Sequence, residues 1–305
     1  QIGEYSFSNS SVEKVILPDS VQIIKKYAFS FNNNLKEVTF NGEIIENDAF
    51  LQTGIIEFNL SNNTKSIGAS AFQYCHCLKK FSIDINKSKL EEIGPYAFAE
   101  TSIEKINIPS KIKVIKKFVF NGCEHLKTVK ISSKSNLESI EEYSFSGDLI
   151  LEKINIPKSI TKLSYKAFIN TPSLLSIMDE SNDYFSVKKN NSIYYKDQSL
   201  IFVPRDLESY KISKNCPVIH SGAFCGPNLE KVSFLDNSLI RIGNSAFAQS
   251  TRLKNIKIPN SIKKIESHAF VGCQNLEVVE FDPDCKIKTI PSYCFAFSGL
   301  KKIVL

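Results

Sequence analysis

The sequence predicts a β-rich solenoid built from coils of about 23 residues. Three observations carry that reading. A small residue followed by Phe recurs at near-constant spacing. Each Phe is followed by a segment that ends in apolar–polar alternation. A second short apolar segment comes next, often just after a proline.

The Phe signal comes first. Ser6-Phe7, Ala28-Phe29, Ala49-Phe50, Ala71-Phe72, Ala97-Phe98, Val119-Phe120, Ser144-Phe145, Ala167-Phe168, Ala223-Phe224, Ala246-Phe247, Ala269-Phe270 and Cys294-Phe295 are separated by 22, 21, 22, 26, 22, 25, 23, 56, 23, 23 and 25 residues. One coil of this length cannot bury its own apolar side, so coils must stack like on like. Each Phe is then expected in an internal column. That explains 22 Phe in a chain with one Met and no Trp.

The second element is the strand. Leu35-Lys-Glu-Val-Thr-Phe40, Ile103-Glu-Lys-Ile-Asn-Ile108 and Leu253-Lys-Asn-Ile-Lys-Ile258 alternate apolar and polar residues at the period of a half-buried strand. Pro18, Pro109, Pro157 and Pro259 follow such segments. Proline donates no hydrogen bond and ends the strand there. The third element returns along another side, as in Ile112-Lys-Val-Ile115, Ile160-Thr-Lys-Leu163 and Ile262-Lys-Lys-Ile265. A short turn leads into the next Phe.

Bulk properties fit a folded binding protein without naming its ligand. The chain has 305 residues, is 42% hydrophobic and 23% charged, and carries a formal net charge of +6. That mild excess favours acidic partners slightly. No run of 18 apolar residues is present. The first residues, Gln1-Ile-Gly-Glu-Tyr-Ser-Phe7, lack the basic start and apolar run of a signal peptide and read as the middle of a repeat. The chain is therefore expected to be a piece of something longer, with any signal or anchor outside it.

Units such as Ile242-Gly-Asn-Ser-Ala-Phe247-Ala-Gln-Ser-Thr-Arg-Leu-Lys-Asn-Ile-Lys-Ile-Pro259, and Ile265-Glu-Ser-His-Ala-Phe270-Val-Gly-Cys273-Gln-Asn-Leu276, resemble BspA-type leucine-rich repeats. The resemblance covers nearly the whole chain. It implies a leucine-rich-repeat solenoid of the α/β repeat class. Its coils are expected to be right-handed, with a parallel sheet on the concave face and short helical or 3-10 turns elsewhere. It also implies a non-catalytic module without a cofactor. Relatives of this kind sit on the surface of host-associated bacteria and parasitic protists, where they contact host matrix proteins or other cells. A secreted or cell-surface adhesion protein is the expectation. The alternative is a cytoplasmic scaffold for protein–protein interaction. Fold kinship alone does not decide between them.

The whole of 1–305 reads as one solenoid, interrupted by a β-meander over 179–217. That interval fills the 56-residue gap, and Asn190-Asn191 and Asp197-Gln198 separate its short β-rich runs. Tyr194 and Tyr195 there are either a protruding contact site or part of a structural insert.

Catalytic signatures are absent. There is no G-x-G-x-x-G, P-loop or H-E-x-x-H motif. Ser-x-x-Lys at Ser11–Lys14, Ser102–Lys105 and Ser110–Lys113 follows from repeat composition. Of eight cysteines, Cys75, Cys123 and Cys273 each lie three residues after a repeat Phe and should share an internal column as small apolar residues. Cys75-His76-Cys77 and the group Cys216, His220 and Cys225 lack the second pair a zinc site needs, so no metal is expected. A Cys216–Cys225 disulfide stays open. Sequons at Asn9, Asn59, Asn62, Asn86 and Asn190 become glycan acceptors only on a secretory route.

A partner is expected on the outward positions of the strand ladder. One outward column reads Lys14, Glu37, Glu57, Lys80, Lys105, Thr128, Lys153, then Lys231, Asn255, Val278 and Lys302. Its neighbour alternates sign in the same way. The column is either a solvated, self-neutralising face or a mixed-charge stripe for an extended protein or an anionic glycan. Lys79, Lys80, Lys105, Lys127, Lys130 and Lys153 form its most basic part. Outward aromatics are scarce, which argues against nucleic acid.

Overall fold

The computed structural model describes residues 1–178 and 181–304. The chain divides into two compact units, Gln1–Phe168 and Ile169–Leu305.

In the first unit, strands numbered in chain order alternate between two ladders. The first ladder holds β1 (Lys14–Ile16), β3 (Glu37–Thr39), β5 (Glu57–Asn59), β7 (Lys80–Ser82), β9 (Lys105–Ile108), β11 (Thr128–Ile131) and β13 (Lys153–Ile154). The second holds β2 (Ile23–Ile24), β4 (Ile44–Ile45), β6 (Ser66–Ile67), β8 (Glu92–Ile93), β10 (Val114–Ile115), β12 (Ser139–Ile140) and β14 (Lys162–Leu163). Where strands pair between coils they do so in parallel and in register: Lys105 faces Thr128 and Thr128 faces Lys153, while Ile44 faces Ser66; β3 and β5, β7 and β9, and β8 and β10 do not pair. Alternation works as the sequence predicts. In β3, Val38 is buried between exposed Glu37 and Thr39, and Leu35 and Phe40 close the same face.

The second unit opens with three antiparallel strands, β15 (Phe185–Val187), β16 (Ile193–Tyr195) and β17 (Leu200–Phe202). Strand β18 (Ser209–Ile212) then pairs in parallel with β20 (Lys231–Phe234) in the manner of a coil strand. Strands β19 (Val218–Ile219), β21 (Arg241–Ile242) and β23 (Lys264–Ile265) continue the sheet begun by β15–β17. Strands β22 (Asn255–Ile258), β24 (Val278–Phe281) and β25 (Lys302–Val304) form the last sheet. Asp179, the first residue of the expected insert, lies outside the described residues.

The Phe column forms in both units. Rings from Phe7 to Phe168 stack with centroids 5.1 to 5.7 Å apart. In the second unit Phe224, Phe247, Phe270 and Phe295 stack at 4.7 to 5.2 Å. Nearly face-on rings at this spacing contribute about 0.5–1.5 kcal/mol per pair beyond area burial.

The turn carrying this column differs from expectation. Helical or 3-10 turns were expected, yet no described residue is helical. Residues two before and two after the column Phe adopt positive φ, as at Tyr27 (56°) and Phe31 (59°), or Asp48 (57°) and Gln52 (55°), with Lys166 before Phe168 and Gly226 after Phe224 as exceptions. A chain that changes hand twice in five residues cannot wind as a helix, whose residues share one hand. It directs alternate N–H groups along the stack instead. Asp48, Phe50 and Gln52 donate to the carbonyls of Ala69, Ala71 and Gln73, each at 2.8 Å. The turn is thus a third hydrogen-bonded ladder. The left-handed conformation costs a non-glycine residue about 1–2 kcal/mol. Intercoil bonds and stacked rings offset it, as in Tyr96, Phe118 and Tyr143, spaced 4.6 and 5.0 Å.

The cysteine column also forms, with different chemistry. All eight cysteines are free thiols, including Cys216 and Cys225. Cys75, Cys123 and Cys273 share their coil position with buried Asn32, Thr53, Thr101, Asp148 and Ser250. Most of these side chains donate to the carbonyl of a column Phe. Asn32 reaches Phe7 O, Cys75 reaches Phe50 O at 3.0 Å, Cys123 reaches Phe98 O at 3.1 Å and Cys273 reaches Phe247 O at 3.1 Å. The position therefore selects a small donor, and the thiols act as donors rather than as plain apolar fillers. Burial pushes the Cys75 thiol up to about 11, which keeps its proton.

Asp148 breaks the pattern. It is fully buried; its Oδ1 accepts from Cys123 N at 3.1 Å, while Oδ2 has no partner among the described residues. Burial holds its pKa well above the usual carboxylate value.

Two outcomes follow. Cys75→Val leaves the Phe50 carbonyl without its thiol donor and should cost about 1–3 kcal/mol in urea denaturation, whereas Cys75→Ser keeps a donor and should cost less. A purely apolar site would reverse that order. Folded Asp148 keeps a proton that the unfolded chain has lost, so its contribution to stability falls as pH rises above about 4. Asp148→Asn should therefore raise the urea midpoint more at about pH 8 than at about pH 5.

Candidate functional site on the first ladder

The outward columns read from the sequence are the columns of the structure. Lys14 faces Glu37 and Glu57 faces Lys80, and Lys105, Thr128 and Lys153 follow in register. Lys130 lies two residues beyond Thr128 on the same side and faces Asn107. Two coil rises separate Lys105 from Lys153, about 10 Å at ordinary strand spacing.

Charge pairing is uneven along this face. Early coils are matched: Lys14 meets Glu37 at 2.8 Å and Lys80 meets Glu57 at 3.4 Å. Such exposed pairs contribute about 0–1 kcal/mol each, so they keep the face soluble more than they hold it together. Lys79, Lys105, Lys127 and Lys130 make no ion pair within 4.0 Å among the described residues, although Glu104 and Glu152 occupy the neighbouring column. These lysines are exposed, and Lys127 and Lys130 line an open groove of about 510 Å³ together with Glu152, Lys153 and Asn155. Its floor is the buried side of β11. The groove offers ammonium donors with amide and hydroxyl groups between them, a surface for anionic or carbonyl-rich ligands.

In the second unit the corresponding strand face is matched only in part, and Lys211, Lys231 and Lys254 make no ion pair among the described residues. Arg252 bridges Glu208 and Glu230, Lys257 meets Asp282 at 2.5 Å and Lys301 meets Glu277 at 2.7 Å.

Tyr194 is not a contact residue. It is fully buried, and its hydroxyl lies 2.8 Å from that of Tyr210. Tyr210 donates to Ser192 Oγ at 2.8 Å, and Ser192 Oγ donates to Asn190 Oδ1 at 2.7 Å. This hydroxyl chain fastens the antiparallel strands to β18. Tyr195 is half-buried, packed between Phe185 at 5.4 Å and His220 at 5.3 Å. The exposed aromatic of this segment is Tyr184. Two tyrosines in succession on a strand must point to opposite faces, and one face here is core.

No helix among the described residues is long and apolar enough to cross a membrane. No group of three or more His, Cys, Asp or Glu among them is placed to hold a metal. Cys75 is buried while Cys77 is exposed.

Known proteins share this architecture. The solved structure of the pneumococcal vaccine antigen PcpA aligns with 95% of this chain and 76% of its own, at 23% identity and a TM-score of 0.73. A leucine-rich cell surface protein from Faecalibacterium prausnitzii aligns over 97% of this chain and 88% of its own, at 23% identity and a TM-score of 0.67. A leucine-rich repeat protein from Bacteroides ovatus aligns over 97% and 73%, at 23% identity and a TM-score of 0.65. No curated protein matches the chain. The BspA type leucine rich repeat region matches in six copies, across residues 1–86, 43–175 and 198–305. With that match spanning most of its length, and with coils stacked as its repeats require, the chain belongs to the BspA-type leucine-rich-repeat family.

Proposed function

We propose that this chain is a non-catalytic, protein-binding repeat module of a cell-surface or secreted protein, which contacts matrix proteins or other cells through the first ladder. The observation that carries the reading is the cluster of unpaired lysines Lys79, Lys105, Lys127 and Lys130 on successive coils of the first ladder, where Lys14 and Lys80 have carboxylate partners. Exposed cations held on a rigid sheet without counter-ions attract an acidic partner and steer its approach. Lys80 and Lys153 flank them and extend the same stripe. Surface location is supported by the solved relatives, one described as a vaccine antigen and another as a cell surface protein. Exposure of Asn9, Asn59, Asn62, Asn86 and Asn190 is compatible with that location.

One observation favours a cytoplasmic scaffold instead. Eight free thiols, six of them buried, suit a reducing compartment. Antibody labelling of intact and permeabilised source cells separates the two readings, because a scaffold stains only after permeabilisation.

The binding surface has its own test. Lys105→Glu, Lys127→Glu and Lys130→Glu combined should weaken binding to an acidic matrix protein or to heparin by about tenfold or more, with a flatter salt dependence. Lys231→Glu on the second unit should change little. Equal loss from both variants would place the contact elsewhere.

A further inference from the structure

The second ladder of the first unit has one open seam. At β2–β4, Glu43 and Ile44 donate to Gln22 O and Glu46 donates to Ile24 O, at 2.8, 3.1 and 2.9 Å. The equivalent three bonds recur at β4–β6, β6–β8, β10–β12 and β12–β14. Between β8 and β10 none of them is made. The N–H groups of Lys113, Val114 and Lys116 find no backbone acceptor, and the carbonyls of Glu91 and Ile93 no backbone donor, among the described residues.

The seam is a cleft with a hinge. A groove of about 540 Å³ opens between the two strands, lined by Glu91, Ile93, Lys113 and Val114. The third ladder stays closed behind it, where Phe98 donates to Val119 O at 2.9 Å and Glu100 to Asn121 O at 2.8 Å. Phe98 and Phe120 are 5.7 Å apart, the widest step in their column. On the first ladder β7 and β9 do not pair, but the same two coils keep the bond from Glu104 N to Lys79 O at 3.1 Å, and Asn107 Nδ2 donates to Ile83 O. The opening falls where a long coil, 26 residues from Phe72 to Phe98, meets a short one of 22.

Side chains clasp the outside of the cleft. Lys111 meets Glu91 at 2.6 Å and Lys116 meets Glu92 at 2.5 Å, each pair spanning the two coils. Both pairs are solvent-exposed on at least one side and exchange partners at little cost. The β10 rim carries Lys111, Lys113 and Lys116. Its natural neighbour on the far side, the β12 segment, carries Glu138, Glu141 and Glu142.

We propose that the β8–β10 seam is a docking site for an extended acidic segment of a partner polypeptide, which enters as an added strand. Its carbonyls accept from Lys113, Val114 and Lys116, and its N–H groups donate to Glu91 and Ile93, restoring the bonds the ladder omits. Apolar side chains at alternate positions face Ile93 and Val114, while its carboxylates take the β10 lysines from the clasp. Main-chain bonds supply affinity and alternate side chains supply selectivity in strand addition. This site is distinct from the lysine face of the first ladder and stands or falls without it.

Amide hydrogen exchange on the full chain tests it, with a capped hexapeptide of the β12 sequence Leu-Glu-Ser-Ile-Glu-Glu as probe. In the free chain the amides of Lys113, Val114 and Lys116 should exchange about tenfold or more faster than those of Glu138, Ser139 and Glu141. Millimolar probe should slow those three by about tenfold and leave the β12 amides unchanged. Val114→Pro removes a donor that the fold does not use, so it should keep the wild-type urea midpoint and lose probe protection at Lys113 and Lys116. Two results overturn the proposal: seam amides already as slow as those of Glu138, or fast amides that the probe leaves fast. Both are read on the unsubstituted chain, so they decide even if the proline variant is destabilised.

Discussion

The intercoil hydrogen bond, from the N–H of one coil to the carbonyl of its neighbour, is the constraint from which the rest of each unit follows. It recurs on three sides of the coil, and the third side explains the most unusual backbone in the molecule. Left-handed Tyr27, Asp48 and Ser70 would be poor choices in an isolated turn. They persist because the intercoil bond leaves little freedom at those positions. The Phe column is the apolar counterpart, since rings superpose only when successive coils share one register.

A polar column inside an apolar stack looks contradictory until the carbonyls are traced. The turn leaves Phe carbonyls short of a donor, and a buried carbonyl without one costs about 1–3 kcal/mol. Small side chains three residues on supply it. Ser, Thr, Asn and Cys interchange there because each carries a donor close to the backbone. Asp148 stands in the same column without donating to a Phe carbonyl; its Oδ1 accepts from Cys123 N, and burial holds its pKa well above the usual carboxylate value.

Surface chemistry follows the same repeat logic with weaker rules. Outward residues touch only solvent and their neighbours one coil away, so nothing in the fold fixes their sign. Some are matched in charge and others are not. Lys105, Lys127 and Lys130 are unmatched side chains on or beside the paired strands β9, β11 and β13. The β8–β10 seam is the opposite case, an unmatched backbone clasped by matched side chains.

The sequence by itself determined the solenoid, its strand register and the identity of both columns, because each is a periodic demand repeated a dozen times. It also determined which strand residues face outward, since alternation assigns each residue within a strand a side. Tertiary structure alone decided the rest. Whether Lys80 finds Glu57 while Lys105 finds no carboxylate depends on side-chain geometry across a coil step, which spacing does not encode. The expected helical turns became a hydrogen-bonded ladder because intercoil bonding outweighs local preference at residues such as Phe31 and Tyr74. Tyr194 passed into the core because the face that β16 turns inward depends on β18, a strand distant in sequence. The missing bonds between β8 and β10 had no sequence signal beyond a long coil preceding a short one, since a gap between strands is a property of the pair and belongs to neither segment.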